Sequence, residues 1–130
     1  MRFGVHPDQA IGRVPYLQIR RCTGSGALQI AAWSTQQEAP ALLFDLKRFS
    51  IGQIVVTGNL VVVVAPGPYD VVVVVRYAKG KPEQVFAEST RGEISVLSTG
   101  NRVTVEIGST ENTPSKTRAF EVDEDELRRG

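Results

Sequence analysis

The sequence predicts an all-β fold, an antiparallel β-sandwich or jelly roll of roughly eight to ten strands with little helix. The strongest observation is a pair of unbroken valine runs, 61–64 and 71–75, separated only by Ala65-Pro66-Gly67-Pro68-Tyr69-Asp70. Side chains of a strand alternate between the faces of its sheet, so an uninterrupted β-branched run makes both faces apolar. Neither face can then be left to water, which calls for two covering layers or a partner chain. A second observation is the Gly-Asn pair that separates apolar runs at Gly58-Asn59 and again at Gly100-Asn101. Gly accepts a positive φ without steric cost, and such pairs close two-residue hairpins. The third is the close spacing of turn residues from 51 to 122, which suits a sandwich or barrel and leaves no room for βαβ crossovers. A closed barrel is the second architecture in order of preference.

Taken along the chain, 16–20 and 28–33 alternate as strands around a Thr23-Gly24-Ser25-Gly26 turn, with Pro15 marking a strand edge or start. Ser34 suits a helix cap, but Pro40 removes a donor a second turn would need, so a loop or one helical turn is expected. Residues 42–46 are apolar but too short for periodicity to separate helix from strand. The hairpin 51–57 to 60–65 follows, then a strand over 71–77, a turn at Lys79-Gly80-Lys81-Pro82, and a strand over 83–88. Ser89-Thr90-Arg91-Gly92 turns the chain into the hairpin 94–98 to 102–107. There Val103, Val105 and Ile107 alternate with Arg102, Thr104 and Glu106, the mark of a sheet with one buried and one wet face. An exposed loop over 108–115 and a last strand over 116–122 complete a single β domain, 1–122. Residues 123–130 are expected to form a charged tail or short helical turn, acids first and bases last as the helix dipole prefers.

Composition narrows the function. With 130 residues and a net charge of +1, the chain lacks the basic footprint of a nucleic-acid binder, and its dispersed cations are not interleaved with stacking aromatics. The single cysteine, Cys22, cannot form an internal disulfide, so a cytoplasmic location is expected. The first residues lack the apolar stretch of a signal peptide, and no apolar segment approaches the length of a membrane span.

Groups for chemistry are sparse. His6 is the only histidine, which argues against the usual zinc sites and against a Ser-His-Asp arrangement, and no metal or other cofactor is expected. Arg20 and Arg21 precede Cys22 and could depress its pKa, although a half-buried strand-end hydrophobe is the plainer role. Thr23-Gly24-Ser25-Gly26 has the glycines of a phosphate loop without the Lys-Ser/Thr sequel or a following helix. Asp70 is expected to organise its turn by accepting a backbone hydrogen bond.

One connection stands out as a contact surface: Pro66 and Pro68 bracket Gly67, stiffening the turn and holding out Tyr69 next to Asp70. The expected function is therefore a non-catalytic protein-interaction or assembly module, self-associating through its valine-rich strands. A small apolar ligand held in a valine-lined barrel or sandwich is the alternative. An enzyme relying on carboxylates such as Asp70, Asp45 and Glu38 comes third.

Overall fold

A computed structural model describes residues 3–4, 17–34, 39–79 and 81–122. His6, Pro15, Glu38, Gly80 and the charged stretch 123–130 lie outside the described residues, as does most of the expected helical turn after Ser34. Ten strands of four or more residues, and one pairing of two residues, form three antiparallel sheets. The first sheet holds β1 (Phe3–Gly4), β2 (Leu17–Cys22), β3 (Leu28–Ala32) and β4 (Leu42–Asp45). The second holds β5 (Gln53–Thr57), β6 (Leu60–Ala65), β7 (Asp70–Ala78) and β8 (Lys81–Thr90). The third holds β9 (Ile94–Thr99), β10 (Arg102–Ile107) and β11 (Lys116–Glu121).

The valine sheet lies between the other two. Val61, Val63, Val71, Val73 and Val75 point to one side and pack against Leu17, Ile19, Leu28 and Ile30 of the first sheet. Leu60, Val62, Val72 and Val74 point to the other side and pack against Val103, Val105 and Ile107 of the third. Both apolar faces are thus covered by layers of the same chain, one of the two solutions that the valine runs demand.

The expected sandwich is present, with three layers, and the closed barrel is not. A barrel turns one face of its strands inward and leaves the other outside, which would put half of the valines in water. Among the described residues each sheet stays open: β5 and β8, the outer strands of the valine sheet, pair only with β6 and β7. The connectivity is also simpler than a jelly roll, because every strand pair joins neighbours in sequence.

The local expectations hold in most places. β5 and β6 pair from Thr57↔Leu60, and β9 and β10 from Thr99↔Arg102. In each hairpin the glycine alone takes a left-handed φ, +57° at Gly58 and +58° at Gly100, the pattern of a type II′ turn. Residues 42–45 resolve as strand. The turn expected at Lys79-Gly80-Lys81-Pro82 is shorter than its sequence suggested: Ala78 pairs with Lys81, and β8 begins there with Pro82 already inside it. Proline is tolerated because β8 is an edge strand. A bulge at Val85 then re-aims the strand: Val74 pairs with Phe86 and Val75 with Gln84, so Val85 and Phe86 both turn toward the second core.

Passage from the second sheet to the third depends on Gly92. A Cβ there would collide with the Gly108 carbonyl oxygen, while the Gly92 N–H donates to Thr90 Oγ1 at 2.9 Å.

This layering makes a direct prediction. Val73→Ala and Val74→Ala, on opposite faces of one strand, should each lower the unfolding free energy by about 1.5–3 kcal/mol in urea titrations. A nearly neutral Val74→Ala would mean that the second face is not packed.

Candidate interaction surfaces

The Pro-Gly-Pro turn between β6 and β7 is held from outside by Arg48. This side chain reaches from the segment after β4, and its Nε donates to the Tyr69 carbonyl oxygen at 3.1 Å, with Nη2 donating to the same atom. A second anchor is its Nη1 bond to the Lys47 carbonyl at 3.0 Å. Arg48 lies so close over the turn that a Cβ on Gly67 would displace its guanidinium. Asp70 closes the turn from inside, its Oδ1 accepting the Gly67 N–H at 3.3 Å. That is the organising role expected for this carboxylate.

Tyr69 remains 42% exposed at the rim, and the Arg91 guanidinium lies over its ring, 4.8 Å from the centroid. Pro66 and Pro68 are exposed beside it. Tyr69 and Arg91 form one wall of an open cleft of about 650 Å³, whose other walls come from the end of β8 and from the 108–115 loop. The lining is polar, with Ser89, Thr90, Thr110 and Thr113 supplying hydroxyls. At its edge Lys116 and Glu88 form an ion pair of 2.7 Å that ties β11 to β8 across two layers. Sequence reasoning found Tyr69, Pro66, Pro68 and Asp70 but not Arg48 or Arg91. Neither cation carries a local signal, since Arg48 is far from Tyr69 in the chain and Arg91 meets it only through the β7–β8 pairing, whose end pair is Asp70↔Thr90.

The other groups weighed for chemistry stay apart. Asp45 accepts the Lys47 N–H at 2.8 Å and shapes the bend after β4, far from Asp70 in sequence and engaged in its own turn. Burial, with a smaller contribution from the Asp45 carboxylate, pushes the Cys22 thiol up, the opposite of activation by its arginine neighbours. Thr23-Gly24-Ser25-Gly26 is the β2–β3 turn, closed by a 2.9 Å bond from the Gly26 N–H to the Cys22 carbonyl. Among the described residues no group of three or more His, Cys, Asp or Glu side chains could hold a metal ion, and no helix is long and apolar enough to cross a membrane.

A different kind of surface lies on the perimeter. β8 and β11 are edge strands bearing Lys81, Pro82, Glu83, Lys116, Arg118 and Glu121, the residues that discourage strand addition. β5 and β9, at the opposite edges of the same two sheets, carry no charge. They meet where Thr57 Oγ1 and Ser98 Oγ share a hydrogen bond of 2.6 Å. Leu97 and Ile54 on these strands are 55% and 40% exposed. The signal for Leu97 was present in the sequence: it breaks the alternation of Ile94-Ser95-Val96-Leu97-Ser98 by placing a leucine on the wet face.

Comparison with protein-family models, with curated proteins and with solved structures finds no match to this chain. The surfaces themselves therefore carry the functional reading.

Two outcomes follow, one from the Arg48 clamp and one from Tyr77, which packs against the first core. Arg48→Ala should lower stability by about 0.5–1.5 kcal/mol, the net range of a typical hydrogen bond, because these bonds are exposed to water, and should open the turn at 66–69 to limited proteolysis. Tyr77 supplies the second, because burial holds its phenol above its ordinary value of 10.0. The folded state keeps this proton more tightly than the unfolded state, so stability is unaffected by the group below about pH 10 and falls as pH rises beyond it. Tyr77→Phe should flatten that alkaline slope in urea titrations between about pH 9 and pH 11.5; an unchanged slope would assign it to other groups.

Proposed function

We propose that the protein is a non-catalytic interaction module that assembles with copies of itself. One observation carries the reading: the sandwich is completed within a single chain, yet one side of its perimeter, at the uncharged strands β5 and β9, is paired by no further strand among the described residues. The valines supply rigidity and not contact area, since Val61, Val62, Val63 and the whole run 71–75 are buried inside the chain. Self-association through the valine-rich strands is therefore revised to self-association through the perimeter they leave open.

The turn bearing Tyr69, with Pro66, Pro68 and Asp70, is the second contact surface in this proposal. An aromatic anchor on an immobilised turn loses little entropy on binding, and tyrosine and arginine are the residues that most often dominate protein interfaces. A small apolar ligand gains no support from the cleft beside Tyr69, whose lining is mostly hydroxyl and charged.

Sedimentation velocity from low to high micromolar concentration tests the reading. A mass rising toward that of a dimer or larger assembly is expected. A strictly monomeric chain of 14.2 kDa throughout the range would overturn it.

A further inference from the structure

We infer that the β9 edge is a self-pairing interface, at which the third sheet continues into the third sheet of a second copy across a two-fold axis. The inference rests on the self-assembly just proposed and names its surface. The hydrogen-bond phase of β9 decides which groups are available. The Gly108 N–H donates to the Glu93 carbonyl at 2.8 Å, and antiparallel ladders alternate, so Ser95, Leu97 and Thr99 exchange their backbone bonds with β10. Ile94, Val96 and Ser98 then turn their N–H and C=O groups to the open side, where no described residue pairs with them.

The occupant that fits this edge is its own copy. A two-fold axis normal to the sheet opposes residues of equal parity, because paired residues share a face. Centred on Leu97, it places Val96 opposite Ser98 of the second copy, and these residues present the free backbone groups that form reciprocal N–H···O=C bonds on both sides of the axis. Ser95 then faces Thr99 of the second copy, a pairing of small hydroxyl side chains. Leu97, 55% exposed in one chain, is buried against Leu97 of the second copy. No like charges meet, because residues 94–99 contain none. The charged β11 edge of the same sheet, with Lys116, Arg118 and Glu121, lacks this self-complementarity.

The geometry sets the test. Leu97 and its copy form a non-hydrogen-bonded pair, with Cα atoms about 4.5 Å apart, within the range a disulfide spans. Leu97→Cys in a Cys22→Ser background should give a disulfide-linked dimer on mild oxidation, while Arg118→Cys on β11 should not. Leu97→Lys should weaken association at least about a hundredfold in sedimentation experiments by apposing like charges at the axis. Ser95→Lys serves as a second disruptor should the first variant fail to fold. An assembly that persists in the lysine variants, with no cross-link at position 97, would place the interface elsewhere and overturn this inference while leaving self-assembly intact. A monomeric parent chain with no cross-link would overturn both.

Discussion

The architecture follows from the need to keep water off both faces of one sheet. Strands β6 and β7 pair valine with valine at four successive positions, from Val61↔Val75 to Val64↔Val72. Polar alternation, the usual means of giving a sheet one wet face, is missing from these strands. Burying a valine side chain is worth roughly 1.5–3 kcal/mol, so exposing either face would forfeit several such contributions at once. The chain meets the constraint by placing one sheet ahead of the valine strands in sequence and one after them, and folding each onto a face. The outer sheets show the complementary pattern: in β10, Val103, Val105 and Ile107 are buried while Arg102 and Glu106 are exposed.

How much of this could be read from residues alone depends on the range of the interaction. The Gly58-Asn59 and Gly100-Asn101 hairpins were legible because a two-residue turn is specified by its own atoms. The demand for cover on both valine faces was legible because strand alternation is a local rule. Who would supply the cover was not, since a partner chain and two internal layers satisfy the same rule. The Val85 bulge was hidden as well: Gln84-Val85-Phe86-Ala87 reads as an ordinary strand, and only its pairing with Val74 and Val75 exposes the extra residue. At the contact surfaces the same division holds. The stiff turn under Tyr69 could be read from two prolines, whereas the guanidinium groups that pin and cover it arrive from distant segments.

A three-layer sandwich also decides where function can reside. The valine strands of the middle sheet have no solvent face, so recognition falls to loops, to the outer faces of the covering sheets and to strand edges. The edges are treated unequally. Natural sheets blunt an exposed edge with charge, proline or a bulge, and β8 carries all of these. The absence of every such device from β9, in a sheet whose other edge strand carries lysine, arginine and glutamate, distinguishes this edge from one merely left unpaired.

The same layering couples the third sheet to the stability of the whole. Among the described residues, Leu60, Val62, Val72 and Val74 are covered by the third sheet, and its Val103, Val105 and Ile107 are buried against them. Loss of that sheet would uncover both sets, a cost on the order of 10 kcal/mol or more, comparable to the whole stability of a typical domain. The third sheet therefore cannot peel away as an independent arm. An interface at its edge would be carried by a layer fixed to the core on one face, presenting unpaired backbone groups already in strand geometry. Preorganisation of that kind lowers the entropy lost on association, so a short edge such as β9 can hold a second copy where a mobile strand of the same sequence would not.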